Sequence, residues 1–324
     1  MNAKCLFGLI ILILTACNEG SPLQPRSGGR PYEVLLVNDT DGIVYRELDA
    51  DMEGLPQSEP SFDISPIARG QFTKTAKLAR NIVMVDIDGR KYSQTRIRYE
   101  KDRYARPQMI AYINSPSAGD MEKTMLQNGG KMLRDLLTRA EINRRIRQLE
   151  EAHQLKAERI IRQMFGIDMR IPVELTAMKK AKNFVWLSNN SVAGMQNLCV
   201  FTVPLHGNDT DMIDSVLHKN IKGETDMMFM RVANKSLKWH RSMERGQVVT
   251  IGRGLWEMRG DAMGGPMVVR MLHGKSTKTF ILTFVYAPES KKRNTTRALE
   301  ASLYTIKPHK ADKRKETQKS PKEA

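Results

Sequence analysis

An apolar run, Leu6 to Leu14, closes on Leu14-Thr15-Ala16-Cys17, and this stretch limits what the rest of the chain can build. Lys4 precedes the run, and small residues stand before the cysteine, which is the order of a secretory signal. The run is too short to cross a bilayer, which takes roughly 20 apolar residues. Cleavage removes Cys5. With Cys17 used at the new N-terminus, Cys199 is the only thiol left of the 3 cysteines. An intramolecular disulfide is then excluded, and packing must hold the fold. Cys199 lies in Leu198-Cys199-Val200-Phe201 and reads as a small buried hydrophobe. An apolar fraction of 40% permits such a core.

A cysteine directly after Leu-Thr-Ala resembles the bacterial lipobox, so Cys17 is the expected lipidation site and the N-terminal lipid the expected membrane attachment. The alternative is an ordinary signal peptide with a chance cysteine. The residues after Cys17, Asn18 to Gly29, are rich in Gly, Pro and Ser and read as a flexible tether. Asn18 stands where an aspartate would retain a lipoprotein at the inner membrane. The expected location is therefore the outer membrane, facing the periplasm. Glu19 is the one acid in the first residues after Cys17, so surface exposure stays open.

The formal net charge is +16, or +15 without Lys4. In an exported chain this excludes nucleic acid as the ordinary partner and leaves anionic lipid, an anionic glycan or an acidic envelope protein. Part of the charge is local. Lys307 to Ala324 carries seven Lys/Arg against three Asp/Glu and reads as a disordered basic tail.

Short apolar runs at Tyr32–Val37, Phe62–Ile67, Asn81–Ile87, Ser93–Tyr99 and Gln108–Asn114 read as strands. Asp88-Gly89 signals a tight turn returning one of them. Met121 to Phe165 is the longest helical tract, with an expected bend near Thr138 to Ala140. Strands recur at Phe184–Leu187, Asn197–Val203, Val248–Trp256, Met267–Leu272 and Thr279–Tyr286, with helices over Asp209–Lys219 and Asn294–Tyr304. Ala79 to Met84 parallels Ala181 to Trp186, and Met109 to Ser117 parallels Phe280 to Ser290. The expected class is α+β: two related units of antiparallel sheet faced by helices, with a long helical pair between them. The expected organisation is a signal over 1–16, a tether over 17–30, a first unit over 31–138, a connecting helix over 139–170, a second unit over 171–306 and a tail over 307–324.

No nucleophile elbow, H-E-x-x-H, phosphate loop or paired C-x-x-C is present, so no catalytic residue, metal or cofactor is expected. His206 to Asp211 and Asn38 to Gly42 read as capping loops rather than metal loops. The densest unusual segment runs from Arg253 to Met267. Arg253, Trp256, Arg259, Asp261, Gly264 and Gly265 are candidates for a ligand-binding loop for an anion or a sugar ring. The competing reading is a hairpin with Trp256 packed on the sheet. The leading functional reading is a non-enzymatic binding or assembly module. The alternatives are polyanion binding, or an enzyme acting on an envelope polymer through Glu257 and Asp261.

Four blocks look familiar together: Gly54 to Asp63; Asp214 to Gly223; Arg253-Gly254-Leu255-Trp256 with Met263-Gly264-Gly265-Pro266; and Phe284-Val285-Tyr286-Ala287-Pro288 with Lys291-Lys292-Arg293. They resemble the signature blocks of an uncharacterised lipoprotein family of the Bacteroides group, domain of unknown function 4837. The resemblance runs from Arg30 to Pro308 and implies export and a shared fold, without an assigned activity. Ala262 and Met267 depart from it, where a larger residue and a phenylalanine would stand.

Overall fold

The structure, a computed structural model, describes residues 24–192, 194–244 and 247–309. The signal, Cys17, the first part of the tether and the tail from residue 310 lie outside the described residues.

The first half holds β1 (Glu33–Val37), α1 (Ile43–Leu48), β2 (Asp63–Ile67), β3 (Asn81–Ile87), β4 (Arg96–Lys101) and β5 (Met109–Ser115). They form a five-stranded sheet in the order β2-β1-β3-β5-β4. Asp39 caps α1 by accepting from the Val44 and Tyr45 amides. Val34, Leu36, Val83, Val85 and Ile113 point to the face covered by α1 and by Leu133 and Leu137 of the long helix. Residues 25–28, read as tether, pair with the sheet's end through Arg106 and Leu78.

Helix follows over α2 (Ala118–Thr124), a π-turn at Met125–Gly129, α3 (Gly130–Glu151) and α4 (Leu155–Phe165). A Cβ at Gly130 would lie 1.9 Å from Glu47 Oε2, so this glycine allows α1 to approach. The break between α3 and α4 falls at Ala152 to Gln154, not at Thr138 to Ala140. Ala152 is extended there, and the Gln154 amide turns to the Ile171 carbonyl. Thr138 and Ala140 lie inside an unbroken helix.

The second half holds β6 (Ile167–Asp168), β7 (Ala177–Ala181), β8 (Phe184–Ser188), β9 (Met195–Pro204), α5 (Asp209–Asn220), β10 (Phe229–Val232), β11 (Lys238–Glu244), β12 (Gln247–Arg259), β13 (Gly264–His273), β14 (Thr277–Tyr286), α6 (Arg293–Leu303) and β15 (Lys307–Pro308). β15 pairs with β6. The remaining strands form one antiparallel sheet of eight, in the order β10-β12-β13-β14-β9-β8-β7, with β11 also on β12. Alternate residues serve opposite faces. Leu198, Val200, Val268 and Ile281 pack under α4 and α6, while Cys199, Phe201, Val269 and Phe280 pack under α5. Both faces are covered, so a run such as Leu-Cys-Val-Phe is apolar throughout.

The α+β class holds. The relation between the halves does not. β1 is parallel to β2 and β3, and β3 is parallel to β5; β4 alone runs against its neighbour. β3 is thus a central parallel strand, whereas β8, its supposed counterpart, lies antiparallel between β7 and β9. Asp88-Gly89 does turn the chain, but β5 inserts between β3 and β4, so the two do not form a hairpin.

The halves are tied together by polar contacts at the start of α6. The Glu59 carboxylate, 5% exposed, accepts from the Lys292 and Arg293 amides at 2.7 and 3.0 Å. A residue of the first half therefore caps a helix of the second and meets the positive end of its dipole. Arg293 reaches Asp63 and the Pro60 carbonyl, both at 2.6 Å.

Candidate functional site

A cleft of about 850 Å³ opens where α3, the segment from Ala50 to Ser61, β11, β12 and α6 meet. Its α3 wall comes from one helical face, since Lys131, Arg134, Asp135, Thr138, Ile142 and Ile146 recur at spacings of three and four. The opposite face of α3 carries Gly130, Leu133, Leu137 and Ala140 into the first core. Leu126, just ahead of α3, is exposed. The polar face of α3 thus looks into the cleft.

The floor belongs to α6 and β12. Glu300, 2% exposed, accepts from the Arg253 guanidinium and from the Tyr304 hydroxyl at 2.9 Å. The charge of Glu300 holds the Arg253 guanidinium above its ordinary pKa. Arg297 stands one turn before Glu300. Its Nη1 donates to the Ser61 carbonyl at 3.0 Å, and its guanidinium lies 4.5 Å from the Tyr32 ring centre. Burial pushes Arg297 below its ordinary value and pushes the Tyr32 phenol up. At the mouth, Arg134 pairs with Glu47 and Lys131 with Asp135, both at 2.6 Å, and His240 faces Glu53 at 3.6 Å.

The candidate loop residues do not gather at one point. β12 ends in a turn at Gly260 with φ of +81°. Trp256 is 3% exposed on the α5 face; its indole N–H donates to the Val285 carbonyl at 3.1 Å, and its ring meets Phe284 edge-on. Arg253, at odd rather than even register, faces α6 and the cleft. Arg259 is exposed and lies 5.4 Å from the Phe229 ring centre. Asp261 is exposed in the turn and accepts from the next amide. Gly264 and Gly265 sit in β13 rather than in the turn. A Cβ on Gly265 would stand 2.1 Å from the Val285 carbonyl oxygen, the same carbonyl that receives Trp256. Glu257 is held by Arg231 on the neighbouring strand at 2.6 Å, and neither it nor Asp261 lines the cleft. Asn208 caps α5 with its side-chain oxygen, and Asp209 pairs with Lys278. Cys17 lies outside the described residues.

Arg297, Glu300 and Glu59 were missed at the level of sequence. Only Glu59 lies within the blocks set out above, where Gly54 to Asp63 and Lys291-Lys292-Arg293 are the two sides of one contact; Arg297 and Glu300 follow the last block by one and two turns of α6.

With this geometry in view, the comparisons divide the chain where the structure does. Residues 154–305 match the family described as Domain of unknown function (DUF4837), and residues 27–150 match Domain of unknown function (DUF8532). The boundary falls at the break between α3 and α4. The first family thus covers the second half alone, and the block Gly54 to Asp63 lies under the other description. A crystal structure from Bacteroides thetaiotaomicron VPI-5482 is similar at 12% identity, over 45% of this chain and 46% of that one, with a TM-score of 0.20. This chain thus spans about half of that protein's length. The solution structure of cyanobacterial PsbP (CyanoP) from Synechocystis sp. PCC 6803 is similar at 12% identity, over 48% of this chain and 90% of that one, with a TM-score of 0.30. No curated protein matches.

Proposed function

We propose that the chain is a lipid-anchored protein of the cell envelope, attached through Cys17 to the outer membrane and facing the periplasm, and that it binds a partner in the cleft between its halves without catalysing a reaction. The observation that carries this reading is Leu14-Thr15-Ala16-Cys17 after an apolar run too short to span a bilayer. No described helix is long and apolar enough to cross a membrane. The cleft supports a binding role by its size, which lies within the range of ligand sites. The carboxylates suggested for an enzyme, Glu257 and Asp261, lie away from it, so the enzymatic alternative draws no support from them.

Cys17→Ala should release the protein from membranes or leave it unprocessed, because several acyl chains hold a protein where one binds marginally. A cleaved Cys17→Ala protein that still sediments with membranes after a salt wash would overturn the anchor.

A polyanion-binding role draws support from a second hollow of about 270 Å³ beside β4, lined by Lys91, Arg96 and Arg98 with Tyr92, Ser93, Gln94 and Asn114. Cations and neutral hydrogen-bonding groups meet there, and no carboxylate lines it. Neutralising Arg96 and Arg98 together should lower retention on heparin if this surface is used.

A further inference from the structure

The floor of the cleft carries more positive charge than the protein neutralises. Arg253 and Arg297 share one carboxylate, Glu300, and Arg253 holds it directly. Arg297 is 7% exposed, and among the described residues no carboxylate is bonded to it. Its hydrogen bond goes to a carbonyl, and aromatic rings cover its faces, Tyr32 at 4.5 Å and Phe62 at 5.7 Å. A buried cation without an anion is costly, because desolvation removes its water and little returns the loss. The wider lining points the same way: six Lys/Arg and four Asp/Glu border the cleft. Glu47, just outside, takes Arg134. Arg241, at the mouth on β11, is exposed.

We propose that the cleft receives an acidic sugar whose oxyanion, carboxylate or phosphate, seats against Arg297 and Arg253, with Arg241 guiding it in. This rests on the reading of the cleft as the binding site and adds the chemistry of what enters. A guanidinium presents a planar set of donors suited to both oxyanions. Thr138, Asn143, Ser61 and Asp51 offer partners for hydroxyl groups, and Ile142 and Ile146 an apolar wall for a ring. The volume admits one or two sugar rings.

The test is calorimetric titration of the detergent-solubilised full-length protein with glucuronate, glucose 1-phosphate and glucose at low salt. The two acids separate a carboxylate source from a phosphate source, and glucose reports the sugar alone. At least one acid should bind saturably, about tenfold more tightly than glucose, and weaken as salt rises. Arg297→Gln should lower that affinity about tenfold, and Arg241→Ala about threefold with an unchanged melting temperature. Since Arg297 is buried and its replacement could unfold the chain, the exposed Arg241 supplies the second variant. Failure of both acids to bind, or equal binding to wild type and Arg241→Ala, overturns the proposal. Asn143→Trp, which fills the cleft from an exposed position, separates the two readings in a pull-down from solubilised envelope. Loss of capture with no acid bound retains the cleft and removes the oxyanion. Capture unchanged by Asn143→Trp removes both.

Discussion

Removing the Glu59 carboxylate should loosen the tie between the halves, and the size of the effect can be worked from its contacts. The carboxylate accepts two amide hydrogens, from Lys292 at 2.7 Å and Arg293 at 3.0 Å. Hydrogen bonds to a charged group contribute about 1.5–3 kcal/mol each, and a buried amide left unmade costs in the same range. Water entering the space left by Glu59→Ala recovers part of this, so the net loss is set near the lower bound, about 3 kcal/mol. Glu59→Gln keeps one carbonyl acceptor and loses the charge, so about half of that should remain. In a chain of this size a loss of 3 kcal/mol lowers the melting temperature by roughly 4–5 °C. Urea unfolding followed by tryptophan fluorescence gives the free energy, since Trp256 is buried in the second sheet. Limited proteolysis adds the location, because cleavage should appear first around Glu289 to Lys292, ahead of α6. A Glu59→Ala protein within 1 kcal/mol of wild type, with that segment still resistant, would refute the idea that the carboxylate caps α6 across the halves.

Other sites carry their own expectations. Gly265→Ala should cost about 1–3 kcal/mol by melt, because its methyl would press on the Val285 carbonyl; an unchanged midpoint would contradict the packing described. Arg259→Ala and Asp261→Ala should each stay within about 0.5 kcal/mol of wild type, being exposed at the end of a hairpin. Burial and apolar neighbours raise the Cys199 thiol well above its ordinary pKa, so a thiol reagent should label the native protein slowly and the unfolded protein fast. Burial raises the Asp214 carboxyl, so its ionisation opposes folding: the penalty is absent below the unfolded pKa, grows between the unfolded and folded values, and is complete above the folded one. Asp214→Asn keeps an acceptor for the Val232 amide and should be as stable as wild type or more so at pH 7, and a loss above about 1 kcal/mol would contradict this.

Strand positions were legible because each apolar run had to be buried. Asn81 to Ile87 is the strand β3 that its composition announces, and Met109 to Ser115 lies within one residue of its reading. Strand partners were not legible. Asp88-Gly89 carries the local chemistry of a hairpin, but β5 takes the place beside β3 and leaves β4 at the sheet's edge. Local turn signals say nothing of a strand that arrives later. The bend of the long helix was misplaced for a related reason: it is set by the Gln154 amide finding Ile171, a tertiary contact. Trp256 and the glycines drew the eye through composition, and their density serves close strand packing. The cleft drew none, because its floor joins Ser61 to Arg297 across 236 positions of chain.

The Glu59 cap also bears on how the two halves can be exchanged. The comparisons describe them separately, and the break between α3 and α4 offers a natural place to cut and rejoin. A chimera joined there would nevertheless carry α6 from one parent and the segment from Gly54 to Asp63 from the other. Unless the incoming first half brings a carboxylate at position 59 and a carbonyl path toward Arg293 and Arg297, the last helix starts without its cap and the cleft loses its floor. Recombination at that joint is therefore restricted by a handful of residues far from it in sequence, and the halves are expected to be inherited as a matched pair.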